Sequence, residues 1–410
     1  MRIVADLHVH SKYARGTSPQ CDIEGLSEGA KIKGIDVMAT GDFTHPLYFQ
    51  EIRQLKDDGT GLYEHKGVKF ILSTEISLIY KGNDKTNKMH HVVLSPSMEI
   101  AEQINDQLGK IGNLKSDGRP ILGMSSASLA DSLFSISRDI MIIPAHVWTP
   151  WFSVFGSKSG VDSMEQAFEE HSRHIHALET GLSSDPAMNW LVSSLDRYAL
   201  VSNSDAHSLG KLGREANVFD LPEITYKSIT DTIKTRKGFL KTYEFYPEEG
   251  KYHYDGHRKC NVLLSPWESR ARNDICPVCR KKLTVGVLHR VADLADRKQG
   301  YRPENAVPFD YIVPLTTVIS KTIKKSENTM AVAEEYSKII RYFGSEFAVF
   351  EADEEAIRLA TTPEISRSIM KVKQGQVKWI PGYDGVFGTL ILDDSRKKAV
   401  DKRQKSLTEF

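Results

Sequence analysis

The sequence predicts an α/β protein. Its first part is a closed or nearly closed barrel of βα units, followed by a small zinc-binding domain and a mainly helical C-terminal domain with some strand. Three observations lead there. From residue 1 to about 245, short β-like runs alternate with helical patterns, as βα units require. Three of the four cysteines, Cys260, Cys276 and Cys279, crowd into one short basic stretch. From about residue 297 the periodicity turns helical and closes on a strand-and-turn passage.

The length of 410 residues and the 40% apolar composition suit two or three domains of about 150 residues each. Lys+Arg and Asp+Glu are equal at 54 each, which excludes an overall polycation; any nucleic-acid surface has to be local. No run of about 18 apolar residues occurs, and the opening MRIVADLHVH turns polar too early for a signal peptide. The expectation is a cytoplasmic protein with no membrane segment. Four cysteines in so long a chain do not make a disulfide scaffold, and their crowding reads as metal binding.

Within residues 1–245, strands are expected at 2–8, 36–40, 69–73, 89–94, 140–144, 175–179 and 199–202, with helices at 23–33, 98–106, 161–172 and 190–198. Residues 246–296 form the cysteine-bearing unit. Residues 297–394 form the third, with helices at 314–325, 330–343 and 363–373 and a strand-and-turn passage at 377–392. Residues 395–410 are charged and lack an apolar face, so a flexible tail is expected.

Chemistry-bearing side chains recur at the strand ends, where such a fold displays its active site. His8-x-His10 follows an apolar run, and positions i and i+2 of a strand share a face, so both imidazoles can reach one ion. Asp42 and His45 lie just past the second strand, Glu75 past the third, and His90–His91 open the fourth. His146 follows the fifth, Glu179 ends the sixth, and Asp205-x-His207 follows the seventh. Any one of these histidines has a simpler reading as a hydrogen-bonded core residue; the series does not. A mixed N/O donor set with bridging carboxylates suits two or three ions such as Zn²⁺, Mn²⁺ or Mg²⁺ and phosphoryl chemistry.

His257-x-x-Cys260 and Cys276-x-x-Cys279 have the paired spacing of a structural zinc site, with His253 as an alternative fourth ligand. Free core thiols are the plainer alternative, but so small a unit needs metal to fold. Arg258, Lys259, Arg280, Lys281 and Lys282 surround this site, and such a local excess can neutralise phosphates. A merely solvated basic face is the competing reading. Trp148, Trp151, Phe152 and Phe155 follow His146, as a base-stacking group or as ordinary core, and Lys211 and Arg214 past His207 are phosphate-clamp candidates.

DLHVHS, Glu75, His91, PAH at 144–146 and SDAH at 204–207 resemble the PHP (polymerase and histidinol phosphatase) superfamily. That resemblance implies a distorted (β/α)₇ barrel with a trinuclear site held by His8, His10, Asp42, Glu75, His91, His146, Asp205 and His207. Asp205, His207, His8 and His10 would be the catalytic core of that site. Asp42 stands in the slot where a histidine is usual, with His45 as competitor, and Arg15 lies about where a further ligand would be expected. One metal position is therefore expected to be weaker or differently bound. The residues alone do not separate His90 from His91; the family pattern favours His91.

HRKC…CPVC, LTVGVLHRVADLADR (283–297) and PGYDGVFG (381–388), in that order after the barrel, resemble the endonuclease Q family over essentially the whole chain. The resemblance implies hydrolysis of DNA 5′ to deaminated bases (uracil, hypoxanthine, xanthine) and abasic sites, in double- or single-stranded DNA. Gln404, Leu407 and Phe410 resemble peptides that bind the replication sliding clamp, a further expected partner. Two alternatives stand beside this: a phosphatase for a small monoester, which would need neither zinc unit nor basic patch, and a non-catalytic DNA-binding module, which would not need the ligand series.

Overall fold

The computed structural model describes residues 1–82 and 85–392; the clamp-type motif Gln404, Leu407 and Phe410 lies outside them. Ile3, Val4, Ala5 and Leu7 are all buried, which makes the first strand, Arg2–Asp6, a central one covered on both faces. It pairs in parallel with Val37–Ala39, which pairs in parallel with Val68–Gly82. That third strand is far longer than its apolar run, because it turns back into Lys85–Ser95 as an antiparallel hairpin. Lys85–Ser95 in turn pairs antiparallel with Met141–Pro144. Val147 N–H donates to Glu179 O (3.1 Å), joining this edge to the parallel pair Ala177–Glu179 and Ala199–Val201. A bridge between Val9 and Ala206 completes the ring. The result is a distorted barrel with one antiparallel strand.

Outside the ring, Ala216–Asp220 runs antiparallel to the first strand and is followed in the same sheet by Phe239–Phe245 and Phe309–Ile312. This extension leads to the helical region. There Leu315–Ile323, Met330–Phe343 and Pro363–Lys373 enclose a separate core that includes Val318, Ile319, Val332, Ile339, Ile365 and Ile369. Lys378–Ile380 and Thr389–Ile391 form its small antiparallel pair. The cysteine-bearing segment is a hairpin, Asp255–His257 with Val262–Leu264, whose own buried core is only Val262, Cys276 and Leu283.

Helix ends obey local chemistry. Ile23–Lys33 starts where the Asp22 carboxylate accepts the Gly25 N–H and stops at Gly34, in the left-handed region at φ 85°. A Cβ on Gly34 would lie 2.5 Å from Ser345 Oγ, so backbone conformation and close packing both require glycine there. The helix expected at 190–198 is not formed. Leu191 O accepts the N–H groups of Asp296 and Arg297, and the Asp296 carboxylate accepts the Ser193 N–H (2.9 Å). Tertiary partners thus take the groups an α-helix would have paired. The expected helix at 161–172 is split into Met164–Phe168 and a 3₁₀ turn, Glu169–His174, with Glu169 at φ 51° at the break.

One buried ion pair fastens the helical region to the barrel. Lys33 Nζ lies 2.5 Å from Glu346 Oε2, and Glu346 also accepts the Leu315 N–H (2.9 Å) and the Tyr336 hydroxyl (2.7 Å). Glu346→Ala strands the Lys33 ammonium in the interior and should cost about 3–5 kcal/mol. The half-exposed Arg2–Glu351 pair should matter little, with Arg2→Ala costing under about 1 kcal/mol. Urea unfolding followed by tryptophan fluorescence checks both.

Candidate metal centre

His8 and His10 leave the first strand on one face, and both are buried. His8 Nδ1 lies 3.0 Å from Glu179 Oε1, and His10 Nδ1 lies 3.0 Å from Asp42 Oδ1. Each imidazole therefore spends its Nδ1–H on a carboxylate behind it and presents Nε2 forward. The two Nε2 atoms converge on Glu75 Oε2, at 3.7 and 3.1 Å, and on Asp205 Oδ1, at 3.9 and 3.2 Å. Both Nε2 atoms and Asp205 Oδ1 are buried without a hydrogen-bond partner. Glu75 Oε1 faces a second pair, His90 Nδ1 at 2.7 Å and His146 Nε2 at 3.1 Å. Two donor groups result, His8–His10–Glu75–Asp205 and Glu75–His90–His146, each with donor atoms within 4.8 Å of one another and both sharing Glu75. Buried N and O atoms aimed at common points, rather than at hydrogen-bond partners, fit a pair of divalent cations bridged by one carboxylate.

The buried carboxylates and imidazoles shift one another strongly. Burial alone would raise the Glu75 carboxyl, but His90, Arg119 and His8 together hold it well below the usual carboxylate range. For His8, burial opposes charge, yet Glu179 and Glu75 hold its imidazole well above the ordinary value. For His10, Asp42, Asp205 and Glu75 outweigh burial in the same way. His90, by contrast, is pushed down to about 4, chiefly by burial and against the pull of Glu75. Three rim residues, Asp42, His146 and Asp205, adopt left-handed backbones at φ 46°, 32° and 46°. Such strain concentrates where a rigid scaffold aims functional groups.

Several residues stand elsewhere than the sequence led one to expect. His91 is not in either group: it pairs in register with Ile76, and its Nε2 lies 2.8 Å from Ser126 Oγ against Phe168. Ser77 pairs with His90 and shares the face of Glu75, so His90 points inward. Asp42 and Glu179 lie behind the histidines. Both Asp42 oxygens are spent, on His10 and on the Ser11 N–H and hydroxyl, while Glu179 also accepts the His146 N–H and the Asn203 amide. His45 is stacked on Tyr13 away from both groups. His207 stands beside His10, ring centroids 4.4 Å apart, with Nδ1 3.0 Å from Asp205 O and its side chain 33% exposed.

Trp148 is core rather than a stacking surface. It is 1% exposed, packs on Phe155 and donates its indole N–H to Asn189 Oδ1 (2.8 Å). Trp151 is 39% exposed, edge-on to Tyr252. Arg214 is no free phosphate clamp: its guanidinium donates to Ser204 O (2.8 Å) and Asp205 O (3.2 Å) and so fixes the turn that carries Asp205. Lys211 is exposed. One residue of the site escaped the sequence altogether. Arg119, from the loop after residue 113, brings Nη1 to 3.0 Å from Glu75 Oε2, and no motif or strand end marks it.

In the hairpin unit, His257, Cys260, Cys276 and Cys279 form a third donor group, with Cys279 Sγ 3.5 Å from His257 Nδ1. His253 is buried apart from it against Tyr254. Arg258, Lys259, Arg280, Lys281 and Lys282 are all exposed around this group. Asp255, Asp274 and His289 also gather, but there Asp255 accepts both the His289 ring N–H and the Gly286 N–H (2.6 Å each), bracing the hairpin on the following helix.

A family model described as the MJ0043 C-terminal domain matches residues 314–376. The Methanocaldococcus jannaschii protein MJ0043 is 30% identical over 251 residues, 59% of this chain but only 31% of its own length. The crystal structure of the lesion-specific endonuclease PfuEndoQ from Pyrococcus furiosus matches with a TM-score of 0.86 and 27% identity, covering 99% of this chain and 100% of that one. A structure of endonuclease Q in complex with a 27-mer duplex bearing an abasic lesion at its active site matches with a TM-score of 0.86 and 28% identity, covering 97% and 98%. The resemblance to the endonuclease Q family is thereby borne out along the whole chain, and with it the fold class.

Removal of the two adjacent histidines should have opposite signatures. His90→Ala is expected to lower the metal bound by the barrel by about one ion, since a two-histidine, one-carboxylate group cannot spare a ligand. His91→Ala should retain that metal and lower only the melting temperature. Metal quantification on the folded variants distinguishes them.

Proposed function

We propose, from a chain that shares the endonuclease Q fold end to end, that this protein is a metal-dependent DNA repair endonuclease. It would hydrolyse the phosphodiester 5′ to uracil, hypoxanthine, xanthine and abasic sites in double- or single-stranded DNA. The single observation that carries the reading is the Glu75-bridged double donor group at the barrel rim of that fold. His8, His10, Glu75 and Asp205 would hold one divalent ion and Glu75, His90 and His146 the other, as Zn²⁺, Mn²⁺ or Mg²⁺. His257, Cys260, Cys276 and Cys279 would hold a structural Zn²⁺. Bound ions would supply Lewis acidity and charge neutralisation at the reacting phosphate.

The protein's own groups do the rest. Glu179 and Asp42 keep the Nδ1 protons of His8 and His10 in place, so that both imidazoles offer lone pairs at Nε2. Arg214 fixes the Ser204–Asp205 turn through two carbonyls. Exposed Arg258, Lys259, Arg280, Lys281 and Lys282 would neutralise phosphates without reading bases. Trp151, exposed beside the His146 loop, would stack on a base. Water adds to phosphorus, the bond to the 3′ oxygen breaks, and that oxygen takes up a proton. The ends are a 3′-hydroxyl and a 5′-phosphate. A deaminated or missing base costs least to turn out of the duplex, which contributes part of the selectivity.

A small-monoester phosphatase would use the same donors but gives the exposed cations of the hairpin unit no work. Purified protein should nick labelled duplexes immediately 5′ to a single uracil, hypoxanthine or abasic site, with phosphate release from small monoesters negligible. The reverse pattern would replace this reading. Asp205→Ala should abolish nicking, a drop of at least about 10³-fold, while lesion-duplex affinity stays within a few fold, because the hairpin cations are untouched. Cys276→Ser should instead weaken the affinity, as its unit folds on metal. Gel-shift and nicking assays on both variants check this.

A further inference from the structure

We propose that Phe387 is a wedge that fills the base stack where a lesion nucleotide is turned out of the duplex, with Lys251 and Arg258 meeting the phosphates beside it. The proposal rests on the endonuclease reading above and deepens it by naming the side chain that takes the place of the missing base.

Residues 381–388, PGYDGVFG, join the strands Lys378–Ile380 and Thr389–Ile391. They do not stand away from the molecule as an ordinary hairpin loop does. Gly382, Gly385 and Gly388 donate their N–H groups to the carbonyls of Glu248 (2.7 Å), Lys251 (2.9 Å) and Glu249 (2.9 Å), and the Gly382 carbonyl accepts the Tyr254 N–H (2.9 Å). A Cβ on Gly382 would lie 2.2 Å from Gly250 O, and one on Gly388 2.0 Å from Glu248 O, so only glycine lets the two backbones approach this closely. Side chains fasten the turn to the cysteine-bearing hairpin as well. Asp384 accepts the Arg258 N–H (2.6 Å) and the Thr284 hydroxyl (2.7 Å), and the Tyr383 hydroxyl donates to Asn261 Oδ1 (2.8 Å).

This fixed turn presents one large side chain to solvent. Phe387 is 57% exposed and belongs to none of the hydrophobic cores among the described residues. The Lys251 ammonium lies 4.5 Å from its ring centre. A Cβ on Gly385 would lie 3.4 Å from Arg258 Nη1 and 3.7 Å from the Tyr252 hydroxyl, so both side chains border the turn. Tyr252 is edge-on to Trp151 at 5.5 Å, and Trp151 belongs to the loop whose Ser153 hydroxyl donates to His146 O (2.6 Å). Direct contacts thus join the turn to the loop that carries a donor of the barrel centre.

The chemistry of the patch points to DNA. Aromatic anchors for protein partners stand in apolar surroundings depleted of charge, whereas cations that attract phosphate border this ring. Apolar side chains can enter between base steps, and ring–base stacking then offsets the stacking that is lost. Because the turn is already held by backbone bonds, it loses little freedom on entry.

The test compares the wild-type holoenzyme with Phe387→Ala, Phe387→Leu and Lys251→Met. Its substrates carry one uracil in a duplex opposite guanine, in a duplex as a one-nucleotide bulge, or in a single strand. The bulge and the single strand leave no gap for a ring to fill. Phe387→Ala should weaken binding to the paired duplex by ~10-fold, with Phe387→Leu in between, and change binding to the other two by less than about 2-fold. Rapid-mixing anisotropy before any nicking reads this, and nicking rates should follow the same pattern; unchanged single-strand nicking shows that the variant is folded. Lys251→Met should instead weaken binding to both duplexes alike and lower the salt dependence by about one phosphate contact. Equal effects of Phe387→Ala on paired and bulged uracil, or none on either, would overturn the wedge, and an unaltered salt dependence would overturn the role of Lys251. Wild-type protein that binds these duplexes yet nicks none of them would overturn the endonuclease reading, and the binding comparison would still decide on Phe387.

Discussion

The site depends on one buried carboxylate being held ionised. Glu75 sits in the middle of a strand that is buried on both sides, and its desolvation is offset by imidazoles and a guanidinium that reach it from four separate segments. Removing any one of these partners would leave the others around a poorly compensated charge. That interdependence explains why the surrounding polar residues are so fully committed. Glu179 alone ties His8, the His146 backbone and Asn203 together, and Asn203 and Asn217 continue the network to the first strand and its neighbour. Buried polar networks of this kind rigidify a site only when every member is satisfied.

Much of this arrangement was legible in the residues because it follows from backbone periodicity. His8 and His10 share a face by strand geometry, and His257, Cys260, Cys276 and Cys279 gather because paired two-residue spacings form a tetrahedral corner. The helices at Ile23–Lys33, Met330–Phe343 and Pro363–Lys373 appear where apolar spacing asks for them. What could not be read depends on direction and distance. Repeated βα units imply parallel strands, but Lys85–Ser95 returns antiparallel, and its register with Val68–Gly82 turns His90 inward and His91 outward. Trp148 and Arg214 carry the right chemistry for DNA, yet each finds a buried partner that only the folded chain supplies. Arg119 had no local signal at all, since its meaning lies in a contact 44 residues away in sequence.

Charge in this molecule is sorted rather than abundant. The formal total is zero, yet the exposed cations of the hairpin unit stand together, while several other basic residues are spent internally. Arg290 donates to Phe155 O and Val161 O, and Arg297 is held by Asp196, so both weld the hairpin's trailing segment to the barrel. Cations used as mortar and cations left for a ligand can thus be told apart only by their acceptors.

The left-handed backbones at Asp42, His146 and Asp205 carry a thermodynamic meaning for loading. Each conformation costs of order 1 kcal/mol or more, and the fold has met that cost before any guest arrives. A receptor already bent to its final shape loses little entropy on occupancy, which favours tight capture of its guests. Their departure would then register as a softer thermal transition with almost unaltered coordinates.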